Sequence, residues 1–217
     1  MLITFEGIDG SGKSTQIAML RDRLRASGTD SILVREPGGT ALSERVRSIL
    51  LDPSLEITAM AELLLFSAAR TQLVAEKIQP ALAAGRMVLC DRFFDSTIAY
   101  QGGGRRLGRY EWIREFSHTV TLGIAPDRTY LLKLPEEDAV LRRASRTGDR
   151  MESGSDGYFR RIAETYDRIA REEPDRVVVL DALQSPDHIH HRIWTDLTAL
   201  GAVGDGAERD SSGSADA

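Results

Sequence analysis

The chain has 217 residues, of which 41% are hydrophobic and 28% charged, and this is the usage of an ordinary folded globular protein. There are 28 lysines and arginines against 33 acidic residues, and the net charge of −5 argues against a nucleic-acid or anionic-membrane binder. The single cysteine, Cys90, excludes an internal disulfide, and we see neither a secretory signal nor an apolar run long enough to span a membrane. We therefore expect a cytoplasmic protein.

Short apolar runs alternate with helical patterns along the chain. The predicted strands are 2–5, 31–34, 86–91, 129–134 and 177–181. The predicted helices are 13–26, 41–51, 58–84, 96–101, 110–119, one opened by Pro135, one ending near 172, and 188–200. Strands that are apolar throughout and alternate with helices form parallel sheets covered on both faces. The order of elements therefore predicts an α/β fold with a five-stranded parallel sheet flanked by helices.

The composition predicts one domain over residues 1–200, with two segments of a different character. Residues 146–157 are polar and glycine-rich, which predicts a mobile loop within a lid at about 142–157. Residues 201–217 lack aromatic residues, isoleucine and leucine and are net acidic, which predicts a disordered tail. The run Gly102-Gly103-Gly104 predicts a turn between two helices.

The strongest motif is Gly7-Ile8-Asp9-Gly10-Ser11-Gly12-Lys13-Ser14-Thr15, which lies between a predicted strand and a predicted helix. It matches the P-loop pattern, in which backbone N–H groups and a helix N-terminus bind the phosphates of a nucleotide. In this pattern Lys13 reaches the β- and γ-phosphates and Ser14 can ligate Mg²⁺. The ATP-binding candidates are Gly7, Asp9, Gly10, Ser11, Gly12, Lys13, Ser14 and Thr15.

A second phosphate site is predicted where the third strand ends, at Asp91-Arg92. A carboxylate at that end of a parallel strand lies beside the crevice where ligands bind, so Asp91 could hold Mg²⁺ together with Ser14. Arg92 could bind an acceptor phosphate with two hydrogen bonds. The other interpretation of the pair is an ion pair at the surface.

The predicted lid carries arginines at positions 142, 146 and 150, which would share one face of a helix because they are spaced by four. Arginines on a closing lid could stabilise the charge that develops on a transferred phosphoryl group. The alternative is an ordinary solvated basic face.

A P-loop is found in kinases, GTPase switches, motors and ATP-dependent ligases. The chain contains no asparagine, and this disfavours a GTPase, which usually reads its base with an Asn-Lys-x-Asp motif. A motor or transporter usually has a larger body or further family motifs, and none is apparent here.

Five segments in order resemble bacterial thymidylate kinases: residues 5–15, 35–40, 64–70, 91–96 and 99–104. The resemblance implies the fold of P-loop nucleoside monophosphate kinases. It also implies transfer of the γ-phosphoryl group from ATP to dTMP, giving dTDP and ADP for dTTP synthesis, with ATP as co-substrate and Mg²⁺ as cofactor. Homodimers are common in this family, so a homodimer is expected.

The resemblance also implies roles for single residues. Phe66 would stack on thymine, Arg70 would bond its edge, and Tyr100 would pack under the deoxyribose. The implied dTMP-binding residues are Asp9, Glu36, Arg47, Phe66, Arg70, Arg92, Thr97, Tyr100 and Gln101. The implied catalytic residues are Lys13, Asp91, Arg92, Arg146 and Arg150, as in the bacterial subtype that carries its arginines in the lid.

Two alternatives stay open at this point. A deoxynucleoside kinase on the same fold is disfavoured by the base-site set of Phe66, Arg70, Tyr100 and Gln101. A non-catalytic nucleotide-binding switch is disfavoured because Lys13, Ser14, Asp91 and Arg92 are all present.

Overall fold

A central parallel sheet holds the molecule together in the computed structural model, which describes residues 1–143 and 157–204. Within these residues five strands pair in the order β2-β3-β1-β4-β5. The strands are β1 (Leu2–Glu6), β2 (Ser31–Arg35), β3 (Met87–Asp91), β4 (Arg128–Lys133) and β5 (Val177–Asp181). All pairings are parallel, with Leu2 opposite Val88 and Thr4 opposite Thr129. The predicted α/β fold with a five-stranded parallel sheet is thereby confirmed.

Helices cover both faces of the sheet in the described part of the chain. The α-helices are α1 (Lys13–Ala26), α2 (Ala41–Leu51), α3 (Ala59–Leu73), α4 (Gln79–Ala83), α5 (Phe94–Thr97), α6 (Tyr110–Val120), α7 (Glu136–Arg143), α8 (Tyr158–Glu172) and α9 (Pro186–Ala199). Two π-helical segments are π1 (Val74–Ile78) and π2 (Ile98–Gly104). None of the described helices is long and apolar enough to cross a bilayer.

Several predicted boundaries were wrong by a few residues. Helix α9 begins at Pro186 rather than at residue 188, because the Ser185 hydroxyl accepts from the His188 N–H and proline suits the first helical turn. The helix predicted over 58–84 is one run of three segments, since π1 separates α3 from α4.

Val203 is buried in the core, so the folded body extends past the predicted end at residue 200. Arg146, Arg150 and residues 205–217 lie outside the described residues.

The predicted turn at Gly102-Gly103-Gly104 is wrong, because these glycines form the end of the helical segment π2. Their small size serves packing instead. A Cβ on Gly102 would lie 3.2 Å from Ile113 of α6, and one on Gly103 would lie 3.0 Å from the carbonyl oxygen of Arg161 in α8. The glycine run therefore allows two helices to approach π2 closely, one on each side.

This close approach predicts the effect of a single added methyl group. Gly103→Ala places its Cβ against α8 backbone and the Thr165 side chain, so we expect a loss of about 1–3 kcal/mol in the free energy of unfolding. Gly204→Ala is the matched control, because a Cβ there meets nothing within 4 Å. Urea unfolding of both variants is the measurement. Equal stability of the two variants would contradict the packing role of Gly103.

Candidate functional site

The P-loop follows β1 and leads into α1. Gly10 and Gly12 have positive φ angles of 87° and 94°, which glycine adopts without strain. The Lys13 ammonium donates to the carbonyl oxygens of Gly7 at 3.0 Å and Ile8 at 3.1 Å. Burial, together with the nearby positive charge of Arg92, lowers the pKa of Lys13 to about 8. A bound phosphate would reverse this, since an anion stabilises the charged amine.

Not every residue of the motif faces the phosphate cavity. A cavity of about 1080 Å³ is lined by Asp9, Gly10, Gly12, Lys13, Ser14, Thr15, Arg35, Glu36, Arg47, Asp91, Arg92 and Arg142. Gly7 instead lies against the carbonyl of Leu132, where a Cβ would not fit, and Ser11 is buried. These two residues shape the loop from behind rather than line the cavity.

The predicted Mg²⁺ ligands meet at the mouth of the P-loop. Ser14 lies in the first turn of α1 and Asp91 ends β3, and the Ser14 hydroxyl lies 3.5 Å from an Asp91 carboxylate oxygen. A hydroxyl and a carboxylate are hard oxygen ligands, the type that Mg²⁺ takes together with water and substrate phosphates. The donor set therefore fits this ion.

Four arginines line the phosphate cavity: Arg35, Arg47, Arg92 and Arg142. Arg142, from the described end of the predicted lid, donates to the Gly10 carbonyl at 3.3 Å and to the Ala182 carbonyl at 3.0 Å. Arg47 donates to the Pro37 carbonyl at 3.0 Å. Cations converging on one cavity suit a polyphosphate ligand, whose charge they neutralise.

A second cavity of about 620 Å³ adjoins the first. Its lining contains all of the predicted dTMP-binding residues and is formed by Asp9, Glu36, Pro37, Arg47, Leu51, Phe66, Arg70, Arg92, Ser96, Thr97, Tyr100 and Gln101. Asp9, Glu36, Arg47 and Arg92 line both cavities. The two cavities therefore meet at a boundary with two carboxylates and two guanidinium groups.

Arg70 is held rigidly in the floor of the second cavity. Its Nε donates to Glu36 at 2.6 Å, Nη1 to the Thr97 hydroxyl at 2.6 Å, and Nη2 to the Phe93 carbonyl at 3.0 Å. Burial raises the pKa of Glu36, and the positive charge of Arg70 opposes that shift. A guanidinium has five N–H donors, so Nη1 has a second N–H besides the one directed at Thr97. Arg70 can thus offer a donor to a ligand without leaving its partners.

Arg92 stands between the two cavities in a conformation that is rare for a residue with a side chain. Its φ is +69°, in the left-handed region. Its guanidinium donates to Asp9 at 2.7 Å and to Ser96 at 3.2 Å and lies 5.1 Å from the centroid of the Tyr100 ring. The Cys90 thiol donates to the Arg92 carbonyl at 2.9 Å. A strained backbone that several bonds hold in place is a common feature of binding sites.

Sequence reasoning missed Glu6, which ends β1 directly before the P-loop. Its carboxyl accepts from the Phe93 N–H at 2.7 Å, the Ser96 hydroxyl at 2.6 Å and the Tyr166 hydroxyl at 2.8 Å. Glu6 thus joins the P-loop strand to the turn of Arg92 and to α8. The available signal was its position, because Glu6 is a carboxylate that follows an apolar strand and directly precedes the P-loop.

The environment of Glu6 predicts a pH dependence of stability. Burial, with the negative charge of Asp95 adding to it, raises the pKa of Glu6 from 4.5 to about 7. Between these values the folded chain binds more protons at Glu6 than the unfolded chain, so its contribution to the free energy of unfolding falls as pH rises. At about 1.4 kcal/mol per pH unit, this loss of unfolding free energy reaches up to about 3 kcal/mol between the two pKa values. We expect Glu6→Gln to abolish it, because glutamine does not titrate.

Urea unfolding of the wild type and Glu6→Gln between pH 4.5 and 7.5 measures this difference. Glu164→Gln, which changes an exposed carboxylate paired with Arg160 at 3.0 Å, is the control. Parallel pH profiles for the wild type and Glu6→Gln would show that Glu6 does not titrate in this range.

The similarity of this chain to known proteins extends over almost its whole length. Residues 5–193 match the family model for thymidylate kinase. The thymidylate kinase of Chlorobaculum parvum is 44% identical over 95% of this chain and 99% of its own, and that of Chromobacterium violaceum is 50% identical over 91% and 93%. The crystal structure of thymidylate kinase from Ehrlichia chaffeensis superimposes with a TM-score of 0.73 at 32% identity and covers 91% of this chain and 98% of that one. The family model over residues 5–193 and these relatives show that the chain belongs to the thymidylate kinase family.

Proposed function

We propose that the two adjoining cavities hold ATP and dTMP end to end for the reaction of this family, the phosphorylation of dTMP by ATP to give dTDP and ADP. The observation that carries this assignment is the shared boundary, where Arg47 and Arg92 line both cavities. Two polyanions can approach each other there only if cations neutralise them. A chain of the thymidylate kinase family with this arrangement is a dTMP kinase.

On the donor side, we assign the triphosphate of ATP to the P-loop cavity. Lys13 would exchange its present carbonyl partners for the β- and γ-phosphates. Ser14 and Asp91 would hold Mg²⁺, which neutralises phosphate charge when it is bound. Arg142, at the described end of the predicted lid, lines this cavity, and Arg146 and Arg150 remain predicted lid residues.

On the acceptor side, we assign the thymine to the cavity between Phe66, Arg70, Thr97 and Gln101. Phe66 would stack on the ring and Arg70 would donate to its edge. Tyr100 would pack under the sugar, and Asp9 would accept from its 3′-hydroxyl. The acceptor phosphate would then lie against Arg92 and Arg47 at the shared boundary.

The transfer itself needs positioning and charge neutralisation more than acid–base chemistry. A phosphate monoester has a second pKa of about 6, so the acceptor is already largely ionised at neutral pH and needs no general base. Arg92 is held by Asp9 and Ser96 and would align the acceptor oxygen with the γ-phosphorus. Lys13 and the arginines would share the charge of the transition state.

A deoxynucleoside kinase is the less suitable assignment. A nucleoside acceptor carries no phosphate, and Arg47 and Arg92 would then both face an uncharged hydroxyl. ADP release with ATP, Mg²⁺ and a panel of thymidine, dTMP, dUMP and dCMP separates the two functions. Acceleration by thymidine rather than by dTMP would contradict the assignment.

Lys13 provides the sharpest test of the donor side. We expect Lys13→Ala to lower dTMP-dependent turnover by roughly 10³-fold, because a buried cation at the γ-phosphate acts on the transition state. A coupled ADP-release assay measures this loss. Lys77→Ala, which changes an exposed lysine of π1, is the matched control and should keep wild-type turnover. Near-normal turnover of Lys13→Ala would contradict the proposed donor site.

We also propose that the chain forms a homodimer through α2 and α3. Four large apolar side chains on these two packed helices are 43–53% exposed: Leu42, Ile49, Met60 and Leu64. Exposed apolar surface on adjoining helices is typical of an interface between subunits.

A cytoplasmic location is also proposed, since a single buried thiol, Cys90, needs no oxidising compartment.

The dimer proposal predicts the effect of one charge. Leu64→Glu would bury an unpaired carboxylate in the interface, so we expect a monomer in analytical ultracentrifugation where the wild type sediments as a dimer. Leu183→Glu, at an equally exposed leucine outside α2 and α3, is the control and should stay dimeric. A dimer that persists in Leu64→Glu would contradict this interface.

A further inference from the structure

A buried carboxylate outside the predicted site touches one of the base-site residues. Gln101, on π2, donates through Nε2 to Glu62 Oε1 at 2.9 Å. Glu62 lies on α3, and its side chain is 1% exposed. Arg105 donates to both Glu62 oxygens, from Nε and Nη2, each at 3.2 Å. The Arg105 guanidinium also lies 4.8 Å from the centroid of the Tyr158 ring, which holds it from the side of α8.

This contact determines which way the Gln101 amide faces. Arg105 donates to both Glu62 oxygens, and Oε1 accepts from Gln101 as well, so this carboxyl serves as an acceptor on the side of Gln101. The NH₂ group of Gln101 must therefore face Glu62, and Oε1 forms the other branch of the amide. Within residues 1–143 and 157–204 no donor bonds to Oε1, and Gln101 is part of the cavity lining. The acceptor oxygen is thus available to a ligand in that cavity.

Arg70, which also lines the cavity, supplies a hydrogen-bond donor rather than an acceptor. Arg70 donates through Nη1 to the Thr97 hydroxyl at 2.6 Å, and Thr97 precedes Gln101 by four residues. Arg70 and Gln101 line the same cavity, so the second N–H of Arg70 Nη1 can donate to a ligand that the Gln101 oxygen also meets. Thymine and uracil present the complementary pair, an accepting C4 carbonyl beside a donating N3–H. Cytosine presents the reverse, an amino group beside an unprotonated nitrogen.

We propose that the Glu62–Arg105 ion pair is a positioning unit that holds Gln101 Oε1 toward the base and so selects pyrimidines with a proton on N3 against cytosine. The inference rests on the proposed function, because it takes the base to lie beside Gln101. Neither residue of the pair touches the base; both act through the orientation of one amide. The pair carries specificity because a reversed amide would present its NH₂ group, which donates to the unprotonated N3 of cytosine but has no acceptor in the N3–H of thymine.

The test uses dissociation constants of dTMP, dUMP and dCMP, measured by titration calorimetry on the full chain. In Glu62→Gln, the new side chain can accept or donate, so the Gln101 amide is free to turn over. We expect the preference for dTMP over dCMP to fall by about tenfold, the value of one neutral hydrogen bond. The preference for dTMP over dUMP should not change, because both bases carry the N3 proton. ATP affinity should also stay as in the wild type.

A structural role would give a different result. If Glu62→Gln weakened all three ligands by the same factor, or kept the preference for dTMP over dCMP, the inference would be overturned. Glu164→Gln is the matched control for a glutamate in an ion pair with arginine at the surface. If Glu62→Gln does not fold, Arg105→Met tests the same point, because it removes the guanidinium that donates to both Glu62 oxygens. The same loss of preference is expected.

Gln101→Ala separates this inference from the function on which it rests. If it leaves dTMP affinity unchanged, the base does not lie beside Gln101 and the proposed base site itself fails. If it weakens dTMP while Glu62→Gln and Arg105→Met keep the preference over dCMP, the base site stands and only the role of the ion pair is overturned.

Discussion

The left-handed turn at Arg92 is the feature on which both cavities depend. This turn directs the guanidinium into the boundary between the cavities, and its backbone is held by β1 through the bond from the Arg92 N–H to the Phe5 carbonyl at 3.0 Å. Glu6 holds the next N–H, and the Cys90 thiol holds the Arg92 carbonyl. A φ of +69° is unfavourable for arginine, so these partners are what keep the side chain in place.

In the cavity assigned to the base, buried charged side chains are likewise held by specific partners. A buried ion without a partner is costly, and each one here is paired: Glu36 with Arg70, and Glu62 with Arg105. Each pair also has a polar side chain of the cavity as a neighbour, Thr97 for the first and Gln101 for the second. The pairing therefore both offsets desolvation and orients the groups that a ligand would meet. Rigid orientation of this kind lowers the entropic cost of binding.

Much of the fold and the phosphate half of the site could be predicted because their signals are local. The strand, the glycine loop and the helix of the P-loop are consecutive residues, so their spacing alone indicated a phosphate site. The apolar strands gave the parallel sheet by alternation with helices. The glycines at 102–104 misled that reasoning, since a glycine run favours a turn in isolation and only the neighbours of π2 require its small size.

The sequence by itself determined the order of elements, the phosphate loop and the family to which the chain is similar. Only the tertiary structure decided how distant residues pair: Arg70 with Glu36 across 34 positions, Gln101 with Glu62 across 39, and Arg92 with Asp9 across 83. No spacing rule reaches that far, because the pairs form only when parallel strands bring their carboxyl ends to one edge of the sheet and α3 packs beside π2. The protonation of Glu6 depends on the same packing, since burial from several elements sets it.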